Sequence, residues 1–445
     1  MTFENIAAIS TALSASGVAV IRISGNSPLS IAEKMFVPIG QTAVKDFEPY
    51  KMYVGEVQAD GFTDFGMCVY FKAPKSFTGE DVVEFHTHGG VAITKGVLKK
   101  ILSLGARLAT NGEFTKRAFL NGKLSLSSAE GLIDMINSES VSGVKAGYYL
   151  YRENLTKEIT FMQDKITDAL AQIDVDMDFP EEDLEQTSTE QVENTLKDVI
   201  CSIDKLLSTY RTGRTLKEGV SVAIVGKPNT GKSSILNALL NYDKAIVSDI
   251  AGTTRDVVEG SVDIFGVRFN FSDTAGIRDS SDKIEEIGVS LSKRVLEQSD
   301  VVLFVMDASD ITEQDNEIYS AVKDKNLIVA INKTDKSDVK DDRADVYVSA
   351  LNKDNIEDLK QLLYDKTIGQ GIDVNGDFLC EERHYNALVR AREKFALALC
   401  ALGTVSLDIL AIDVKDGWDA LGEISGKTAT EEIINTIFSK FCVGK

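Results

Sequence analysis

The spacing of apolar positions divides the chain into stretches of different period. Through about residue 119, short β-like runs alternate with glycine-rich turns. Val18-Ala-Val-Ile-Arg-Ile and Met67-Cys-Val-Tyr-Phe read as strands, and Val91 to Leu104 carries helical spacing, which together predict an α+β segment. From about residue 120 to 210 the period changes and glycine thins after Gly147. Leu155, Ile159, Met162, Ile166, Leu170 and Ile173 recur at three- and four-residue steps, and Val192 to Leu207 repeats the pattern, so two long amphipathic helices are expected. Arg211-Thr-Gly-Arg-Thr-Leu-Lys-Glu-Gly is polar and basic with two glycines, and predicts a boundary or hinge. Beyond it, Val222–Val225, Phe269–Phe271, Val301–Met306, Leu327–Ile331 and Val346–Val348 alternate with helical stretches, the rhythm of a doubly wound α/β domain. Helical periodicity returns from about residue 380. The expected fold is therefore multidomain α/β: an α+β N-terminal domain (1–119), an all-α domain in two parts (120–212 and 376–445), and an inserted doubly wound domain (213–375).

Composition changes this picture little. The 445 residues suffice for about three domains, and 43% hydrophobic with 26% charged residues is a globular balance. The formal net charge of −21 argues against a chain that coats nucleic acid by bulk electrostatics. It leaves room for a local basic patch, or for a partner that carries most of an RNA contact. No run approaches the roughly 18 apolar residues of a membrane span, and no basic region followed by an apolar run opens the chain. The five cysteines are scattered, without CxxC spacing. A reducing, cytoplasmic setting is expected, with no membrane partner.

The strongest chemical signal is Gly226-Lys-Pro-Asn-Thr-Gly-Lys232-Ser233, a GxxxxGK[ST] loop placed between a strand and an apolar-patterned helix. Such a loop turns backbone N–H groups toward phosphate oxygens, and the helix N-terminus adds its dipole. Lys232 is expected to bridge the β- and γ-phosphates and Ser233 to ligate Mg²⁺. Three further motifs follow in order. Gly252-Thr-Thr-Arg-Asp256 offers Thr254 as a second Mg²⁺ ligand. In Asp273-Thr-Ala-Gly276, Asp273 is suited to a metal-bound water and the Gly276 N–H to the γ-phosphate. In Asn332-Lys-Thr-Asp335, the carboxylate of Asp335 can accept from both N1–H and N2–H₂ of guanine, a donor pair adenine lacks, which selects GTP. Ser349-Ala350-Leu351 is expected to bring a backbone N–H near guanine O6. The residues expected around the nucleotide are Asn229, Thr230, Gly231, Lys232, Ser233, Ser234, Ser248, Asp249, Ile250, Ala251, Gly252, Thr253, Thr254, Asp273, Thr274, Ala275, Gly276, Asn332, Lys333, Asp335, Ser349, Ala350 and Leu351.

Ile277 stands after Gly276, where Ras-like GTPases carry the glutamine that orients the attacking water. Hydrolysis then needs another device. The side-chain oxygen of Asn229 can hold a K⁺ beside the phosphates, supplying charge in the way of an arginine finger, a role worth about 10³–10⁵ in rate. In Asp282-Lys-Ile-Glu285-Glu286, one carboxylate can position water; spacing alone leaves open which.

The whole chain resembles the MnmE-type (TrmE) GTPases, which modify the wobble uridine of certain tRNAs. The resemblance rests on Ile21-Arg-Ile-Ser-Gly, Ser76-Phe-Thr-Gly-Glu-Asp-Val-Val-Glu84, His88-Gly-Gly, Gly112-Glu-Phe-Thr-Lys-Arg-Ala-Phe-Leu-Asn-Gly-Lys123, Ile173 to Pro180, the GTPase motifs and Phe441-Cys-Val-Gly-Lys445. It implies a tetrahydrofolate-binding, dimerising N-terminal domain, a helical domain and an inserted Ras-like P-loop G domain. It implies a K⁺ shell from Asn229 and backbone carbonyls of Ser248, Ile250 and Thr253, and assigns water activation to Glu285. It implies a folate site at Arg22, Glu84, Lys123 and Lys445, where the cations can pair with the glutamate tail and the carboxylate with a pterin N–H edge. The implied reaction joins a one-carbon unit of 5,10-methylenetetrahydrofolate to C5 of uridine-34, with 5-formyltetrahydrofolate as a bound analogue. The implied partners are a second copy of the chain, an FAD- and NADH-using protein completing a heterotetramer, and tRNA.

Other residues admit more than one reading. Cys442 is a possible nucleophile or a packed small side chain. Thr11 to Ser16 departs from the proline- and glycine-rich turn of many relatives. His86-Thr-His88 resembles a metal pair without a third ligand. Asp174, Asp176, Asp178 and Glu185 fall at EF-hand positions, but Phe179 replaces the required glycine. Trp418 is expected to pack in the helical domain. The rival class is a ribosome-assembly switch GTPase of the Era or Der type, for which the chain lacks a basic RNA-binding appendage. A folate aminomethyltransferase regulated by GTP is the third.

Overall fold

A computed structural model describes residues 4–178, 185–242, 260–273, 295–297, 299–369 and 378–445. The chain forms two compact units. One comprises Met1–Ile133, Tyr149–Ile200 and Ala387–Lys445, the other Asp134–Tyr148 and Cys201–Asn386.

The first unit is built on a seven-stranded sheet in the order β3-β4-β5-β6-β2-β1-β7. Its strands are β1 (Ile6–Ile9), β2 (Ser16–Gly25), β3 (Phe36–Pro38), β4 (Met52–Gln58), β5 (Thr63–Phe71), β6 (Asp81–Gly89) and β7 (Arg107–Leu108). Side chains alternate across the pleat. Ala7, Ile21, Ile23, Cys68, Val83 and Phe85 therefore share one face, where they form a core with Ile31 of α1 (Pro28–Ala32) and Val97 and Ile101 of α2 (Val91–Ser103). Ile6 and Ala8, with Phe114 of α3 (Glu113–Leu120) and Ala109, build a smaller cluster on the opposite face, and Arg22, Ser24 and Glu84 lie on that side too.

The opposite face near β3 is exposed and largely apolar, with Glu56 between Val37 and Phe65. Val54 lies opposite Met67, and Val37 and Phe65 both pair with Glu56, so these residues share a side. Val37 is 48% exposed, Met52 48%, Val54 45% and Phe65 52%, a patch of the kind that marks an interface.

The helical part follows the predicted periodicity. Helix α6 (Asn154–Asp178) buries Leu155, Ile159, Met162, Ile166 and Ile173, and packs on α12 (Leu407–Ser425). Trp418 is half-buried and donates Nε1–H to the Gln163 carbonyl (3.2 Å) and Thr167 Oγ1 (3.1 Å). The last helix, α13 (Glu431–Ser439), buries Ile437 and Phe438 against Leu126 and Ala129 of α4 (Leu126–Asn137).

The second unit carries a six-stranded sheet, β13-β12-β11-β8-β10-β9. Five strands are mutually parallel: β8 (Val220–Val225), β10 (Val267–Asp273), β11 (Val301–Asp307), β12 (Leu327–Asn332) and β13 (Val346–Tyr347). β9 (Gly260–Ile264) is antiparallel to β10. Both faces are apolar, as a parallel sheet between helix layers requires. Its helices include α8 (Lys232–Tyr242), α9 (Glu313–Val322) and α10 (Ile356–Thr367).

One expectation changes. Residues 211–218, read from sequence as a boundary or hinge, are the last two turns of α7 (Glu185–Glu218). Gly213 is not a breaker. A Cβ there would lie 2.4 Å from the Leu379 carbonyl oxygen, so glycine permits the chain returning toward α11 (Glu382–Ala401) to lie against the helix. The helix ends at Gly219, with φ +88°.

Around this exit the first turn of α5 (Val141–Tyr151) fastens the unit. Ser142 donates its N–H to the Gly266 carbonyl in the β9–β10 turn (3.0 Å) and its hydroxyl to the Leu216 carbonyl (3.0 Å). Lys217 sits between two carboxylates, 2.9 Å from Asp134 Oδ1 and also bonded to Glu381.

Candidate functional site

Among the described residues, the loop Gly226–Ser233 and the segment Asn332–Asp335 lie at the carboxyl ends of β8 and β12. In this sheet the strand order reverses direction at β8, the crevice where doubly wound folds take ligands. Backbone shape sets the loop. Gly226 crosses beneath β11, where a Cβ would lie 2.3 Å from the Val305 carbonyl. Gly231 has φ +91°, and a Cβ there would meet the Asn332 amide at 2.2 Å. Asn229 itself is left-handed, φ +64°. Lys232 is buried and donates to the carbonyls of Gly226 (3.0 Å) and Lys227 (2.8 Å), so its ammonium already stands among oxygens at the mouth of the loop. Ser233 and Ser234 open α8 beside it.

The base-recognition side is equally well ordered. Asn332 donates Nδ2–H to the Thr230 carbonyl (3.0 Å) and accepts from the Ala350 N–H (3.1 Å), which ties three predicted segments together. Lys333 donates to the Asn229 carbonyl (2.7 Å) and pairs with Asp307 (2.6 Å). The buried hydroxyl of Ser349 donates to Asp335 Oδ1 (2.6 Å) and so aims that carboxylate. A cavity of about 360 Å³ opens here, lined by Gly231, Ser234, Asn332, Lys333, Asp335 and Ala350 among others. Leu351 stands 79% exposed at its rim. An aimed carboxylate beside a slot of this kind suits a flat base with two adjacent N–H donors.

Asp307 is a member of this site that motif reading missed. Burial works upward on its carboxyl, but Lys333 and Ser309 outweigh it and hold it below the usual range. Its signal in the sequence was an aspartate ending an apolar strand. Strand β10 delivers Asp273 to the same edge. Ser248, Asp249, Ile250, Ala251, Gly252, Thr253, Thr254, Thr274, Ala275, Gly276 and Glu285 lie outside the described residues.

The second group of candidate residues gathers on the open side of the first unit's sheet. Arg22 and Glu84 face each other on β2 and β6, joined at 2.7 Å. The guanidinium also stands 5.5 Å from the Phe77 ring centre and 5.7 Å from that of Phe114. His86 lies 3.4 Å from the other Glu84 oxygen. Burial pushes the Glu84 carboxyl upward, but His86 and Arg22 together hold it below the ordinary carboxylate range. His88 is engaged elsewhere, bonded through Nδ1 to Asp64 (2.7 Å).

Phe77 belongs to a loop held from below. Buried Arg117 pairs with Glu80 (3.1 Å) and Glu113 (3.0 Å), Ser24 donates to Glu80 Oε2 (2.6 Å), and Asn121 donates to the Thr78 carbonyl (2.7 Å). Lys123 reaches the same loop at the Pro74 carbonyl (2.9 Å). A cavity of about 560 Å³ lies beside it, lined by residues including Gly25, Asn26, Gly79 and Asn121. The C-terminus arrives from the other end. Gly444 packs on the Ile9 carbonyl, opposite Ile21, the neighbour of Arg22, and brings Lys445 to that end of the sheet. Cys442 is exposed, so its thiol is not a packed core group. The arrangement offers an arginine over two aromatic rings, bonded to a carboxylate. That suits a flat heterocycle with an N–H edge and an anionic tail.

The model of the MnmE helical domain matches residues 126–442, and that of the GTP-binding protein TrmE N-terminus matches residues 5–123. The chain is similar to the tRNA modification GTPase MnmE of Thermoanaerobacter pseudethanolicus, 39% identical over 460 aligned positions covering 100% of both chains. The protein of that name from Clostridioides difficile is 39% identical over 99% of each. Among solved structures, a variant of Aquifex aeolicus Era bound to GDP·AlF₄⁻ is 32% identical, covering 40% of this chain and 67% of that one, with a TM-score of 0.28.

Proposed function

The chain belongs to the MnmE family of tRNA modification GTPases, and from that premise we propose that it hydrolyses GTP under K⁺ activation to drive modification of wobble uridine-34 at C5. The observation that carries the reading is the guanine cradle, in which Asn332 fastens Thr230 to Ala350 and Ser349 aims Asp335. In the proposed cycle Lys232 leaves the loop carbonyls for the β- and γ-phosphates, and Asp335 accepts from the base. Ser233 and Thr254 would hold Mg²⁺, and Asn229 with the carbonyls of Ser248, Ile250 and Thr253 would hold K⁺; these ions supply positive charge against the phosphates. Glu285 positions the attacking water in place of the missing glutamine.

The Arg22–Glu84 pair with Lys123 and Lys445 is proposed to bind tetrahydrofolate, which supplies the one-carbon unit. Glu84, held ionised by its neighbours, accepts from the pterin edge, and the cations take the glutamate tail. Cys442, exposed near this end, is kept as a possible nucleophile. The uncovered face of β3–β5 supports a homodimer through the N-terminal domain. An FAD- and NADH-dependent partner would complete a heterotetramer and present much of the tRNA surface, a division that fits the net charge of −21. A cytoplasmic location and the domain limits 1–119, 120–212, 213–375 and 376–445 belong to the same reading. Among the described residues, no helix is long and apolar enough to cross a membrane.

The test is mass spectrometry of tRNA nucleosides from cells lacking the chain, complemented with wild type or Glu285→Ala. The expected result is loss of 5-aminomethyl-type wobble uridines, restored by wild type alone. Unchanged nucleosides in the deletion would overturn the tRNA assignment in favour of a ribosome-assembly switch.

A further inference from the structure

The phosphate-binding loop contains a second lysine, to which its consensus gives no task. Lys227 follows Gly226 and points away from the phosphate side. It is 6% exposed, and its ammonium is saturated by the chain beginning α9. It stands 2.8 Å from Asp315 Oδ2, 2.6 Å from the Asp310 carbonyl, 2.9 Å from Thr312 Oγ1 and 3.3 Å from Asp310 Oδ2. Asp315 is fully buried, and its Oδ2 also accepts the Thr312 N–H (2.7 Å), closing the first turn of α9. Its Oδ1 has no hydrogen-bond partner among the described residues, so the ammonium is the main compensation for that buried charge.

The main chain of the same residue faces the nucleotide. The Lys227 carbonyl accepts from Thr230 Oγ1 (3.0 Å) and from Lys232 Nζ (2.8 Å). Two residues on, the Asn229 carbonyl is pinned by Lys333. One residue thus anchors the loop to α9 with its side chain, and with its carbonyl holds both a loop hydroxyl and the phosphate-binding ammonium.

The geometry points to Lys227 as a positioning residue for GTP binding and hydrolysis, a brace that fixes the P-loop on the N-terminal turn of α9. It touches neither phosphate nor base. It acts by setting where the Lys227 carbonyl points, and so where Lys232 and Thr230 stand when GTP arrives. Burial disfavours its charge, but Asp315 outweighs that effect and keeps the ammonium protonated well above neutral pH. The brace is therefore permanently charged and takes no part in proton transfer.

The test uses the full chain with Lys227→Met, Lys227→Arg and Asp315→Asn, and measures GTP KM, kcat and the thermal midpoint of each. Lys227→Met keeps the stem and loses the charge. It is expected to weaken KM and kcat/KM by tenfold or more. Lys227→Arg, which can still reach Asp315 with several donors, is expected to return kcat/KM to within about threefold of wild type. A merely structural lysine would lower the midpoint and leave KM and kcat alone; that outcome for Lys227→Met overturns the proposal. If Lys227→Met does not fold, Asp315→Asn carries the decision, since the amide keeps a hydrogen bond and drops the charge. A several-fold loss of kcat/KM supports the brace, and wild-type kinetics reject it.

Discussion

Lys217 shows what sequence hides at the level of a single residue. In sequence it is one more charge of the polar, basic segment read as a boundary or hinge, yet it lies between Asp134 and Glu381, which come from distant parts of the chain. Two largely buried carboxylates share one ammonium, and one of them keeps its proton. Burial first, then the charge of Glu381, push the Asp134 carboxyl up to about 8 despite Lys217. Its value in an unfolded chain is near 3.9. Between those two values the folded state holds the extra proton, so this group's stabilisation is full at low pH and is lost as pH rises through 8. Asp134→Asn mimics the protonated form permanently. The difference in thermal midpoint between this variant and wild type is expected to grow in the variant's favour from pH 6 to 8 and level off above. A constant difference would show that Asp134 is ionised throughout. The nucleotide residues differ because backbone shape and short spacing define them: at Gly226 and Gly231 a Cβ would meet the Val305 carbonyl or the Asn332 amide, so glycine is required there. No local pattern announces a charge cluster assembled from three separate segments.

At the scale of the element, apolar periodicity found α6 and the parallel strands, because those segments bury one face or both along their whole length. It failed at residues 211–218, where glycine was weighed as a helix breaker. Tertiary contact decides there instead. In an open helix, Gly→Ala gains about 1 kcal/mol. At Gly213 the added methyl meets the Leu379 carbonyl, and overpacking of this kind costs about 1–3 kcal/mol. Gly213→Ala is therefore expected to lower stability in urea denaturation despite its better helix propensity. A stabilised variant would show that the returning segment yields easily. β9 was missed for a related reason: at five residues, with Phe265 and Gly266 both at positive φ in the turn that follows, it is half of a hairpin rather than a run of its own.

For the whole molecule, the uncovered face of β3–β5 makes the most direct claim. Met52, Val54, Phe65 and Val37 present branched, thioether and aromatic groups around a single carboxylate, Glu56, where a solvated sheet face would carry more polar residues. Val54→Glu places a charge in the middle of that patch without touching the core on the other face. If the proposed homodimer forms through this patch, the variant is expected to sediment as a monomer with an unchanged circular dichroism spectrum. An unshifted sedimentation coefficient would overturn the homodimer proposed through this face. The candidate folate pair lies on the same side of the sheet but was not readable as a site from its residues. Arg22 and Glu84 are 62 positions apart and meet only because β2 and β6 are neighbours.

The bond between Ser142 and the β9–β10 turn has a mechanical meaning. Gly252–Asp256 precedes this hairpin in sequence and Asp273–Gly276 follows it, so both of its ends run on to nucleotide motifs in the chain while its bend is tethered to the first turn of α5. Two hydrogen-bonded strands resist stretching, and at about 3.3 Å per residue the seven residues of β10 make a rod of roughly 20 Å. A displacement of its strand ends would reach the turn at Phe265 and Gly266, where the Gly266 carbonyl is bonded to the first turn of α5.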